Sequence, residues 1–210
     1  MKKAAGAVTE KTIEIPEIRR QRIRVELVGE SPLITNRFTE KSKTDITDKQ
    51  GGKATVKKPP RVPENEFKSA MHLMNGNGKP KYGVRAISIK KAMATAGMRF
   101  ADQSKVGIFG MVMVHGNDRG LVEILGPAPQ MGEDMVVFNR KVTSIAYRPY
   151  FSPWRVEVDI DFMSNFISME QVVNLLNLAG MTVGIGTWRV ENGGDKGTFR
   201  VGKVTEVKSK

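Results

Sequence analysis

Cysteine is absent from this 210-residue chain, and histidine occurs only at His72 and His115. The first absence excludes disulfides and thiolate metal sites and fits a reducing compartment such as the cytoplasm. The second argues against a zinc site, because the two imidazoles stand far apart in sequence. No run of eighteen apolar residues occurs, and Met1-Lys2-Lys3 leads into no signal-type apolar stretch, so neither a membrane span nor a secretory leader is expected. Acidic residues are also in short supply. Lys and Arg number 34 against 22 Asp and Glu, a net charge of +12. An excess of that size points to a polyanionic partner, most often nucleic acid. No catalytic constellation is legible, so no enzyme and no cofactor are expected.

What is present is organised around residues 167–201. Ser168 followed by Gln171 makes a capping box, and Val172, Val173, Leu175, Leu176 and Ala179 give one apolar helical face. Gly180 is expected at the left-handed position that ends this helix. Gly184, Gly186, Gly193, Gly194 and Gly197 then fall within fourteen positions, interleaved with Trp188, Arg189 and Lys196. Such a loop lets backbone amides approach a ligand, with an indole and cations beside it to grip a strand. It could equally be a set of turns with Trp188 as a core anchor.

Two strands are clear. Ile23, Val25 and Leu27 alternate with Arg22, Arg24 and Glu26, and Trp154, Val156, Val158 and Ile160 alternate with Arg155, Glu157, Asp159 and Asp161. Their charged faces are expected to be solvated or salt-bridged. From Thr35 to Pro63 periodicity disappears, and Arg37, Lys41, Lys43, Lys49, Lys53, Lys57, Lys58 and Arg61 face only Glu40, Asp45 and Asp48. A loop this long is functional or mobile, and its one-sided charge favours a basic arm that orders on a polyanion or a neighbouring subunit. The pattern further predicts helices over 63–73 and 87–100, with Lys90 and Lys91 facing away from the core. A hairpin of 106–114 with 121–125 follows, with His115 a mere turn residue. The stretch 126–149 reads as irregular, and its Arg140, Lys141 and Arg148, with Tyr147 and Phe151, suit stacking on unpaired bases, unless Tyr147 and Phe151 anchor the loop to the core. Trp154 reads as a core anchor. The domain plan is a flexible segment 1–17, one α+β domain 18–204 carrying the arm 35–63, and a basic tail 205–210.

With the arm set aside the order is β-α-β-β-α-β, the ferredoxin-like skeleton of RNA-recognition domains, although their aromatic signature is missing. That core, the late helix running into Gly184-Ile185-Gly186-Thr187-Trp188-Arg189 and Gly193-Gly194-Asp195-Lys196-Gly197, and the basic arm together resemble the RAMP superfamily. That superfamily includes the backbone subunit of CRISPR effector complexes. The chain is also similar to short bacteriophage proteins. The resemblance implies a subunit that polymerises head to tail on single-stranded RNA or DNA, with the arm as a thumb. Some members cut RNA with an arm aspartate, and Asp45 or Asp48 would stand at that position. The competing readings are a phage structural or interaction protein, either an assembly component or an inhibitor that mimics an effector subunit, and a metal-dependent ribonuclease. The residues expected at nucleic acid are Arg22, Arg24, Arg37, the six arm lysines, Arg140, Lys141, Arg148, Gly184, Gly186, Trp188, Arg189 and Lys196.

Overall fold

The structure, a computed structural model, describes residues 17–38, 44, 46–48, 50–52, 60–74, 79–138 and 142–207. The expected N-terminal segment up to residue 16, Asp45, the six arm lysines, Arg140, Lys141 and residues 208–210 of the basic tail lie outside the described residues. The fold is α+β, with antiparallel sheets and several helices. Its elements are β1 (Arg20–Gly29), β2 (Leu33–Ile34), α1 (Pro63–Ser69), β3 (His72–Met74), β4 (Lys81–Arg85), α2 (Ala86–Phe100) and α3 (Lys105–Met111). They continue with β5 (Val112–Val114), β6 (Leu121–Ile124), β7 (Gln130–Phe138), β8 (Val142–Phe151), β9 (Arg155–Met163), α4 (Met169–Thr182) and β10 (Phe199–Val207).

The main sheet has strand order β10-β1-β9-β5 with every neighbouring pair antiparallel. Its centre follows directly from the alternation in β1 and β9. Ile23, Val25 and Leu27 pair with Ile160, Val158 and Val156, and all six are buried. α2 and α4 pack together over this face, adding Ile89, Met93, Val172, Leu176 and Ala179 to one core cluster. Fully burying side chains of this kind stabilises by roughly 1.5–3 kcal/mol each.

On the opposite face the same register sets Arg22 against Asp161 and Arg24 against Asp159. Arg24 holds Asp159 in a fork, 2.7 and 2.9 Å. Asp161 is 3% exposed and is held by Arg20, by Arg22 Nη2 at 3.0 Å and by His115 Nε2 at 2.8 Å. His115 is therefore more than the turn residue expected. Burial alone would raise the Asp161 pKa, but the hydrogen bonds from Arg22, His115 and Arg20 outweigh it and hold the carboxyl well below its ordinary 3.8. Its contribution to stability is then complete above pH 3.8 and is lost as the pH falls below that value. Asp161→Asn is expected to lower the melting temperature by about 2–4 °C. The shift stays small because Arg20 and Arg22 remain in contact with water. The variant should also lose less stability than the parent between pH 4 and pH 2, read by thermal melting across that range.

The expected 106–114 hairpin does not form. Ser104 caps a short helix by accepting from Gly107 N–H at 3.2 Å, and Ile108 of α3 packs against Gly97 of α2, where a Cβ would lie 2.2 Å from Ile108 Cδ1. Only Val112–Val114 is extended. It pairs with β9, whereas β6 pairs with β4. The expected helix over 63–73 stops at Ser69, and His72–Met74 is strand β3.

The stretch expected to be irregular is instead the long β7–β8 hairpin. Pro149 is tolerated there because a residue's N–H and C=O point to the same side of a strand. Its carbonyl accepts from Thr35 N–H at 3.4 Å, so the missing donor faces away from β7. Trp154 is the anchor expected, 3% exposed, with Nε1 donating to Ser31 O at 2.7 Å. α4 carries the capping box, but Gly180 does not end it. That residue is buried against Phe199, and the terminating left-handed residue is Gly184, φ 71°, whose N–H returns to Ala179 O at 2.9 Å.

Candidate functional site

The glycine loop is sewn to the end of β2. Thr187 N–H donates to Ile34 O, Ile185 N–H to Gly197 O and Gly197 N–H to Pro32 O, each at 2.9 Å. Gly186 sits at φ 83°, and a Cβ there would lie 2.4 Å from Ile34 O. Only a residue without a side chain lets the two backbones approach this closely. Across from the loop stand the start of α2 and strand β3. Between them lies a cleft of about 270 Å³ whose lining includes Asn36, His72, Arg85, Ser88, Lys91 and Thr187, with the loop residues Gly184, Gly186, Arg189 and Glu191.

The charges in this cleft do not balance. Glu191 is its one carboxylate among the described residues, and Arg189 already holds it at 2.8 and 3.0 Å. Arg99 lies a further 3.4 Å from the same carboxylate. Arg189 also donates to Gly186 O at 3.2 Å, so it braces the loop. Arg85 and Lys91, by contrast, have no acidic partner among the described residues, nor does Arg37, which follows the lining residue Asn36. Burial, then the charges of Arg37 and Arg85, depress the His72 pKa below its ordinary 6.5.

The sign of that effect is testable. Stability contributed by the neutral imidazole is complete above pH 6.5 and is lost as the pH falls below it, because the unfolded chain takes up the proton more readily. His72→Gln is expected to flatten the fall in melting temperature between pH 6.5 and pH 5. An anion seated in the cleft favours the imidazolium, so affinity for a polyanion should rise over the same pH drop and not do so in the variant.

The structure thus brings together Gly184, Gly186, Arg189 and, at the cleft edge, Arg37. Trp188 belongs to the loop at φ 56°, an uncommon conformation for a bulky residue. Its Nε1 is buried without a hydrogen-bond partner among the described residues. Lys196 donates its backbone N–H to Trp188 O at 2.9 Å, and its Nζ lies 3.1 Å from Asp195. Arg148 faces Asp134 at 3.9 Å, beside the Tyr150 hydroxyl that donates to the same carboxylate. Arg22 and Arg24 lie on the charged sheet face, paired with Asp161 and Asp159. Lys90 does not project freely as expected, since its Nζ lies 5.1 Å from the centre of the Phe109 ring. Arg61 of the arm is bound to Glu66. Sequence reasoning missed His72, Arg85 and Lys91. They come from separate elements and form no motif, and Lys91 was legible only as an exposed helix position.

No protein-family model matches the chain, and no curated protein matches it. Among solved structures it is similar to a chain in the cryo-EM structure of the Type III-B Cmr-beta bound to cognate target RNA. The sequence identity is 10% and the TM-score 0.48. The likeness covers 90% of this chain and 61% of that one.

Proposed function

We propose that this protein binds single-stranded nucleic acid without catalysing a reaction on it, seating backbone phosphates in the cleft between the glycine loop and α2. The observation that carries the reading is the unbalanced charge there. Arg85 and Lys91 line a cleft, with Arg37 at its edge, whose only carboxylate among the described residues is already paired with Arg189. Phosphate is the anion that repeats along a chain, and the net charge of +12 favours a partner longer than one nucleotide. Asn36 and Ser88 beside these cations have no side-chain hydrogen-bond partner among the described residues and can donate to sugar and phosphate oxygens, contacts that carry no sequence information directly.

The frame we assign to it is ferredoxin-like. Supporting that is the main-sheet order β10-β1-β9-β5, in which the first and last strands are neighbours and α2 and α4 share one face. On this reading the chain is also a subunit that adds head to tail along the strand, as the RAMP resemblance implies.

Fluorescence anisotropy with labelled single-stranded RNA, single-stranded DNA and duplex of one sequence tests the first part. Tight, salt-dependent binding of a single strand with weaker duplex binding is the expected result, and equal or absent binding would sink it. Light-scattering mass with a long oligonucleotide tests the second: several chains per strand are expected.

A further inference from the structure

A groove of about 320 Å³ lies at the far end of α2 from the cleft. The cleft uses Arg85, Ser88 and Lys91 at the start of that helix, whereas the groove begins at Ala101, just past its end. At 1.5 Å per residue the two sites stand about 20 Å apart along the helix. Ile108 and Met111 of α3, Leu175 and Leu178 of α4, and Phe166 and Ile167 just before α4 supply the apolar wall. Around it Phe100, Phe166 and Val106 are 58%, 54% and 80% exposed, and Met169 and Met181 of α4 also face solvent. Aromatic and methionine side chains gathered on exposed surface are the composition of a protein–protein contact.

Charge identifies the partner. The charged residues within three sequence positions of the groove lining are Arg99 and Lys105 against Asp102 and Glu170, two against two, on a chain of net charge +12. A nucleic acid meets no excess of cations here. A second copy of the chain, repelled by strongly basic surface elsewhere, meets a face that it can approach. Asp102, Lys105 and Glu170 have no ion-pair partner among the described residues, which leaves them able to pair across such a contact.

Shape identifies the symmetry. A cavity of about 150 Å³ takes a benzene ring, so this groove is large enough for a phenylalanine side chain. The same face carries the groove and the projecting rings of Phe100 and Phe166. A patch that holds knob and hole together is self-complementary, which is what a two-fold contact requires. We propose that this face joins two copies of the chain about a two-fold axis, with the phenylalanine rim of each seated in the groove of the other. The contact leaves both clefts free and does not depend on the cleft's proposed role.

Light-scattering mass of the full-length protein, free of nucleic acid, tests it. The mass is expected to pass from one chain to two between about 1 and 100 μM, the range of a small interface, and to stop there. Raising salt from about 0.1 to 0.5 M should strengthen the dimer several-fold by screening the repulsion of two basic chains, whereas the same salt weakens strand binding. Val106→Glu, at an exposed position in the first turn of α3 where an acidic side chain suits the helix, should raise the dissociation constant at least about tenfold with an unchanged melting curve. Met135→Glu on β7, also exposed but outside the groove, should not. The Val106→Glu protein should still bind a short single-stranded oligonucleotide like the parent, so that a failed dimer and a failed cleft read out separately. A protein that stays monomeric at every concentration and salt, that grows past two chains, or that the two variants weaken alike overturns the proposal.

Discussion

Gly186→Val is expected to melt well below the parent protein, at a cost of roughly 2–4 kcal/mol, and to bind nucleic acid more weakly even where it remains folded. Two effects act at one residue. A β-branched side chain at φ 83° is a genuine backbone outlier, costing about 1–3 kcal/mol. Its Cβ would also lie 2.4 Å from Ile34 O, the carbonyl that accepts from Thr187 N–H. To relieve that contact the loop must withdraw from β2, which breaks the bond at Thr187 and shifts Arg189 away from Gly186 O. Gly193→Ala is the control, since it also has a positive φ of 78° but no atom within 4 Å of its added Cβ. Thermal melting should rank the two, with Gly186→Val clearly the worse. If both melt alike, close approach to β2 is not what requires glycine at position 186.

That loop illustrates how far the sequence reached. The capping box at Ser168 and Gln171 and the alternation of β1 and β9 are local patterns, and each appears where it was expected. Local patterns failed where tertiary context decided. Gly180 was expected to end α4 because glycine usually marks a helix end, but here it is buried so that Phe199 O can pass close to the helix. The turn-like residues of 126–149 hid the β7–β8 hairpin, because the missing N–H of Pro149 is turned away from β7 and takes no hydrogen bond from that pairing. Val106 to Val114 alternates like a strand, but the cap at Ser104 and the packing of Ile108 on Gly97 fold its first part as helix. The cleft was half legible. Gly184, Gly186 and Arg189 lie in one stretch, whereas His72, Arg85 and Lys91 meet them only through the fold.

Replacing Arg37, Arg85 and Lys91 together with Gln is expected to leave the fold intact and weaken single-strand binding by about 100-fold at low salt. That loss corresponds to roughly 1 kcal/mol for each screened phosphate contact. All three side chains belong to exposed residues without an ion-pair partner among the described residues, so removing their charge orphans no buried carboxylate. The salt dependence separates specific contacts from general attraction. Each phosphate contact made to a single strand contributes about 0.7 to the slope of log affinity against log salt, so the triple variant should lose about 2 from that slope. Replacing Arg155, Arg200 and Lys203 with Gln removes the same formal charge from exposed positions on β9 and β10. This control should lower affinity only slightly and keep most of the slope. Equal losses in the two variants would mean that the strand follows the protein's overall field and not the cleft, and the glycine loop would then have no direct part in binding.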